Sequence, residues 1–102
     1  MQLHNELQKR CEKYPLYSQE NAKDPMVCAK LFFAISRATW YVTEYNPVTQ
    51  IAFGYVKGLM HDEWGYISIP ELQSVKLANV FSVEVDLYFE AQSTSQLGIA
   101  RP

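Results

Sequence analysis

The spacing of apolar residues changes along this chain from four to two, and this change most limits the folds that the chain can adopt. Leu3, Leu7 and Cys11 form one stripe among good helix formers, which predicts a short amphipathic helix over 2–13. From Val27 to Ile35 every second residue is apolar, and the run is rich in aromatic and β-branched residues, which predicts a largely buried strand. The chain therefore combines a helix with a sheet.

Further short runs of aromatic and β-branched residues follow this strand. They cover 39–45, 50–57 and 64–67, and Asn46-Pro47 is a strong turn signal between two of them. Because parallel strands need a crossover of about a dozen residues or more, the short connections predict an antiparallel meander of about four strands.

A short second helix and a fifth strand are predicted in the last third of the chain. Ser68 and Glu71 have the spacing of a capping box, which predicts a helix over 70–77. Its apolar residues expected to face the sheet are Leu72, Val75 and Leu77. Alternation then predicts a strand with one buried side, formed by Val83, Val85, Leu87 and Phe89. Residues 91–102 show no periodicity, so we expect a flexible tail.

Length and composition are those of one globular domain. The chain has 102 residues, of which 48% are hydrophobic and 20% charged, with a net charge of -2. We expect a single α+β domain over 1–102, with the N-terminal helix region at 1–15. The charge balance argues against a large electrostatic footprint for nucleic acid or anionic lipid.

The two cysteines and the first residues indicate the cellular compartment of the protein. Cys11 and Cys28 have neither CxxC nor zinc-ligand spacing, and Met1–Glu6 lacks the basic and apolar regions of a secretory signal. Apolar stretches of about five residues are far shorter than the ~20 of a membrane helix. We expect a cytoplasmic protein without a membrane span and with reduced thiols. A disulfide between the two cysteines is the alternative.

The common catalytic and phosphate-binding signatures are missing. No glycine-rich phosphate loop fits the four glycines, and neither a G-x-S-x-G nor an H-E-x-x-H motif occurs. We therefore assign no catalytic residue, no metal ligand and no cofactor. His61-Asp62-Glu63 is the densest titratable cluster; a metal or acid/base site is one interpretation, and a solvated hairpin loop is the favoured one.

Aromatic and acidic residues supply the candidate surface. On the second strand, alternation places Trp40 and Val42 on one side and Tyr41, Thr43 and Tyr45 on the other, so aromatics occupy both faces. Core packing is the favoured interpretation of these aromatics, and the alternative is that exposed tyrosines such as Tyr41 and Tyr66 form a protein-contact surface. The acidic residues of the last strand, Glu84, Asp86 and Glu90, are interpreted first as the solvated face of a one-sided sheet, and a binding surface that includes Glu44 is the alternative. Base stacking is disfavoured because Lys and Arg are scattered.

Short segments between about 16 and 90 have the order and spacing of a known family. They are Leu16-Tyr17-Ser18-Gln19-Glu20, Asp24-Pro25, Ala29-Lys30-Leu31-Phe32, Trp40-Tyr41-Val42-Thr43-Glu44-Tyr45, Phe53-Gly54-Tyr55-Val56, Gly65-Tyr66-Ile67-Ser68 with Glu71-Leu72, and Val83-Glu84-Val85-Asp86-Leu87-Tyr88-Phe89. With them the chain resembles a family of small bacterial proteins, domain of unknown function family 2958, so 16–90 is its family-like core. Where that family usually has Arg ahead of its aspartate, this chain has Val85 before Asp86.

The resemblance implies a setting and a set of candidate residues. Members are commonly encoded on plasmids, conjugative elements and phages, and no activity comes with the resemblance. The family's recurrent polar positions fall at Tyr17, Ser18, Glu20, Lys30, Glu44, Glu71 and Asp86. We expect a non-enzymatic accessory protein of a bacterial mobile element that binds an unknown protein partner. The alternative is a small metal-dependent hydrolase or small-ligand-binding domain that uses Glu44 and Asp86, with Lys30 or Glu20.

Overall fold

The structure, a computed structural model, describes residues 2–77 and 80–100 and confirms an α+β fold built on an antiparallel sheet. Its helices and strands are, in chain order, α1 (Leu3–Arg10), β1 (Met26–Val27), β2 (Ala29–Phe33), β3 (Thr39–Asn46), β4 (Ile51–Lys57), β5 (Glu63–Ser68), α2 (Ile69–Ser74), β6 (Lys76–Leu77), β7 (Phe81–Val85) and β8 (Gln92–Ser93). One sheet has the order β5-β4-β3-β2-β7-β6, and β1 pairs with β8 in a second, small sheet. The predicted meander is β2 to β5, and β7 joins it beside β2.

One face of the six-stranded sheet packs against both helices and forms the core. Its buried apolar residues come from the helices and from alternate positions of the strands: Leu3, Leu7, Leu31, Trp40, Val42, Ala52, Ile67, Ile69, Val83 and Val85. The backbone N–H of Leu3 donates to Oε1 of Gln73 at 2.8 Å and so joins α1 to α2. The alternate apolar residues of the strands thus lie on the buried face, as the period of two predicts.

The second helix is shorter than predicted. The Ser68 hydroxyl accepts from the N–H of Glu71, as the capping box predicts, but the helix ends at Ser74. Lys76 and Leu77 turn outward and pair with β7 as the edge strand β6, so Val75 and Leu77 are exposed and the prediction that they face the sheet is wrong. Only Leu72 of that stripe packs against the core.

The predicted last strand ends at Val85, because Asp86 begins a turn. Its carboxylate accepts from the N–H of Tyr88 at 3.0 Å and its carbonyl accepts from the N–H of Phe89 at 3.2 Å. Such local bonds from an aspartate compete with a strand ladder. Leu87 is therefore 51% exposed, and its predicted place on the buried face is wrong.

The C-terminal segment makes specific contacts that its lack of periodicity does not predict. In its described part, β8 pairs with β1, and the buried Thr94 donates its hydroxyl proton to Oδ1 of Asp24 at 2.9 Å. Hydrogen bonds from Ser95 and then from Thr94 hold the pKa of Asp24 below its usual range. Residues 101–102 of the predicted flexible tail lie outside the described residues.

Cys11 and Cys28 form a disulfide, so the expectation of reduced thiols is wrong for this structure. The helix packs against β3 and β7, and Cys11 just after α1 lies at a Cα–Cα distance of 5.4 Å from Cys28 just before β2, although they are 17 positions apart in the sequence. In the part of the chain that the structure describes, no helix has the length and apolar character needed to cross a membrane.

The limits of the core can be tested with two leucines. Leu31 lies fully buried in β2, so Leu31→Ala is expected to lower the free energy of unfolding by about 2–5 kcal/mol. Leu87→Ala deletes the same atoms at an exposed turn and should cost less than about 0.5 kcal/mol. Chemical denaturation of both variants measures the difference. Equal losses would show that β7 continues past Val85.

The disulfide should stabilise the oxidised protein mainly by restricting the unfolded chain. For a closed loop of this length, the expected gain is about 3 kcal/mol. Denaturation with and without a reductant measures it, and the variant with both Cys11→Ala and Cys28→Ala serves as the control that no longer responds to the reductant. If the reductant leaves the unfolding midpoint of the parent protein unchanged, the disulfide between Cys11 and Cys28 is contradicted.

Candidate functional site

The face of the large sheet opposite the helices is rich in aromatic side chains, and we call it the aromatic face. Alternate residues of neighbouring strands line up there in two rows, because side chains in register share one side of a sheet. The first row runs across β2 to β5 through Lys30, Tyr41, Tyr55 and Trp64. The second runs across β3 to β5 through Glu44, Phe53 and Tyr66.

A β-bulge in β3 places Glu44 in the second row. Val42 pairs with Gly54 and Glu44 with Phe53, which leaves Thr43 as the extra, unpaired residue. The side chains beyond the bulge therefore change faces. A Cβ on Gly54 would collide with the carbonyl oxygen of Tyr41, so glycine is required opposite the bulge.

Tyr45 lies in the core as a result of this bulge, and the prediction that it shares a side with Tyr41 is wrong. Its hydroxyl is 2.7 Å from Nδ1 of His4 on α1. Burial raises the pKa of Tyr45 to about 12. Unbroken alternation along β3 would instead have put the Glu44 carboxylate on the core side.

The Glu44 carboxylate anchors the loop that follows α1. Its two oxygens accept from the backbone N–H of Tyr17 at 2.8 Å and of Gln19 at 2.9 Å. Tyr17 is held with a φ of 72°, in the left-handed region that few residues other than glycine adopt. The Gln19 amide donates to the carbonyls of Met26 and Thr43, which fastens the loop to β1 and β3.

Loop and sheet enclose a cleft of about 260 Å³, which we call the aromatic-acidic cleft. Its main side chains are Tyr17, Glu20, Glu44, Phe53, Trp64 and Tyr66. The rings of Phe53 and Trp64 stack with centroids 5.7 Å apart, and Tyr66 meets Phe53 edge-on at 5.2 Å. The indole N–H of Trp64 donates to the carbonyl of Ala100 at 2.8 Å, which fixes the orientation of this wall.

The cleft is negatively charged, and its described lining residues include no Lys or Arg. Glu44 is only 4% exposed, yet among the described residues no Lys or Arg forms an ion pair with Glu44 or Glu20. The pKa of Tyr66 is raised first by a hydrogen bond with Tyr17, then by burial and the charges of Tyr17, Glu44 and Glu20. Both tyrosines line the cleft.

A second polar group lies at the β2 end of the first row, away from Trp64. The Lys30 ammonium is 3.9 Å from Oδ2 of Asp86 and 5.8 Å from the centre of the Tyr41 ring. The N–H of Asp86 also donates to the carbonyl of Lys30 at 2.9 Å. Both charges of this group are therefore matched within the chain.

The predicted site residues thus separate into groups. Tyr17, Glu20, Glu44 and Tyr66 meet at the aromatic-acidic cleft, whereas Lys30, Tyr41 and Asp86 meet at the second polar group. Ser18 is exposed in the loop beside the cleft, and Glu71 is exposed in the first turn of α2. Glu44 and Asp86, the pair on which the hydrolase hypothesis depends, bind different partners.

Phe53, Trp64 and Gln19 also build the cleft, although sequence reasoning did not select them as site residues. The alternation of β4 and β5 could have placed both rings beside Tyr66 once the register was known. Within the described residues, no three His, Cys, Asp or Glu side chains come together to hold a metal. In the His61-Asp62-Glu63 cluster, Asp62 accepts from the N–H of Gly58 at 3.0 Å, as expected for a hairpin loop.

The contact between Tyr17 and Tyr66 can be tested by titration. Tyr17→Phe removes the largest cause of the raised pKa, so the pKa of Tyr66 should fall toward its ordinary 10.0. In the parent, the raised pKa contributes stability that is present below pH 10 and is lost as the pH rises through the folded-state value. Nuclear magnetic resonance of isotope-labelled tyrosine follows the ring directly. Tyr88→Phe, which changes a 95% exposed ring beyond β7, is the control and should leave the Tyr66 curve in place.

Comparison with known proteins identifies a family. No match was found among curated proteins or among solved structures. A family model described as Protein of unknown function (DUF2958) matches residues 1–99, which include α1 and the C-terminal segment as well as the core over 16–90. The chain therefore belongs to the DUF2958 family.

Proposed function

We propose that this protein is a non-enzymatic accessory protein of a bacterial mobile genetic element and that it acts by binding a protein partner. The supporting observation is the pair Tyr17 and Tyr66, which are 59% and 62% exposed at the mouth of the aromatic-acidic cleft. Tyrosines held by a sheet and an anchored loop offer a large, rigid contact area with a polar tip, which is typical of binding hot spots.

The edge strand β5 offers the partner a second means of attachment. It ends the six-stranded sheet, and no described residue pairs with its outer side. The opposite edge is β6, which has only two residues. An added strand would gain main-chain hydrogen bonds along six residues of β5 and would lie beside Trp64 and Tyr66. Edge and cleft thus form one continuous surface.

The setting of this proposal rests on the family and not on the site. The resemblance favours mobile-element genes. Cytoplasmic proteins rarely keep disulfides, so the bond between Cys11 and Cys28 weighs against the cytoplasm. The metal-dependent hydrolase alternative has no support from the separate positions of Glu44 and Asp86.

Site-directed photo-crosslinking in a bacterial host tests the proposed surface. We expect p-benzoylphenylalanine at position Tyr66 to give a discrete adduct whose protein component mass spectrometry identifies. The same group at position Tyr88, which is more exposed than Tyr66 and lies beyond β7, is the control and should give none. With the purified partner, Tyr66→Ser should weaken binding by about 30-fold, the loss typical of a hot spot. Equal adducts at both positions, or none at either, would refute the proposal.

A further inference from the structure

We propose that the aromatic-acidic cleft binds an organic ammonium group and that its source is a lysine side chain of the partner protein. The choice of source rests on the proposed function. The ammonium site itself rests on the cleft alone and can be tested without any partner.

The Glu44 carboxylate is buried, and no described Lys or Arg forms an ion pair with it. A carboxylate removed from water loses much of its hydration, and burial is costly unless a cation or hydrogen bonds replace that hydration. The N–H groups of Tyr17 and Gln19 supply one bond to each oxygen. A carboxylate has about four acceptor positions, so Glu44 can accept further bonds. Glu20 adds a second negative charge at the same cleft.

The first row of the aromatic face contains a carboxylate that does have a cation beside it. There Asp86 lies beside Lys30, and Lys30 lies over the ring of Tyr41. A carboxylate, an ammonium and an aromatic ring therefore occur together in that row. In the second row, Glu44 is followed by Phe53 and Tyr66, and the described residues provide the carboxylate and the rings without the ammonium.

The walls of the cleft suit such a group. Ammonium ions are attracted to the faces of aromatic rings within about 6 Å, most strongly to tryptophan. Trp64, Tyr66 and Tyr17 line the cleft together with the two carboxylates. Its volume of about 260 Å³ is smaller than the roughly 300–1,000 Å³ of pockets for drug-sized ligands. The cleft therefore suits a single side chain.

Titrations followed by the indole signal of Trp64 and the amide signals of Tyr17 and Gln19 test the site. The probes are butylammonium chloride, the neutral analogue 1-butanol, and the peptide acetyl-Gly-Lys-Gly-amide. We expect saturable shifts with butylammonium and with the peptide, tighter binding of the peptide, and at least about tenfold weaker binding of butanol, which is about 1.4 kcal/mol.

Three variants separate charge from folding. Glu44→Gln should abolish ammonium binding, but it also weakens the anchor of the loop. Glu20→Gln keeps that anchor and should weaken butylammonium binding several-fold without changing butanol binding. Glu71→Gln makes the same charge change on α2 outside the aromatic-acidic cleft, and it should leave the binding of every probe unchanged.

The outcomes distinguish this site from the proposed function. Butanol binding as tightly as butylammonium, or no saturable shift with either cation, would overturn the ammonium site, while a specific adduct at position Tyr66 would still support a protein partner. Butylammonium binding more tightly than the peptide would overturn the lysine source and identify a small organic ammonium ion as the ligand. Loss of the adduct alone would refute the partner and leave the ammonium site standing.

Discussion

The arrangement of this protein depends on one extra residue in β3. Thr43 lies between the paired positions Val42 and Glu44, and the resulting bulge exchanges the faces of everything that follows it in the strand. It moves a carboxylate away from the helices and brings the Tyr45 ring among them. Without the bulge, Glu44 would lie in an apolar core with no cation, which costs several kcal/mol per charge. The loop after α1 would lose the acceptor of two of its backbone amides.

The sequence predicts those parts of the fold that depend on period and on local capping. Alternation identifies β2, runs of aromatic and β-branched residues identify β4 and β5, and Ser68 marks the start of α2, because these signals arise from neighbours in the chain. The errors have a different origin. The bulge at Thr43 has no residue-type signal of its own, and the turn at Asp86 interrupts a pattern that otherwise continues to Phe89. The outward turn of Leu77 follows from pairing with β7, which is a tertiary contact.

The candidate site is less accessible to sequence reasoning because it is made by register and by single hydrogen bonds. Tyr17 and Tyr66 are far apart in the chain and line the same cleft, where Glu44 holds the loop against the sheet. Gln19 contributes through backbone carbonyls, and no periodicity reveals such bonds. The pattern did indicate that aromatic residues occupy both faces. It did not indicate that, among the described residues, a lysine would pair with Asp86 and none with Glu44.

The position of the disulfide has a consequence for how the cleft is assembled. The bond between Cys11 and Cys28 closes a covalent ring, and every cleft residue that the sheet does not supply lies inside that ring: Tyr17, Gln19, Glu20 and Pro25. In the oxidised chain, much of the conformational freedom of this wall is already removed before any ligand arrives. The hydrogen bonds of Glu44 and Gln19 restrict the same wall in the folded chain. Two residues that do not line the cleft therefore act together with Glu44 to limit the freedom of its wall.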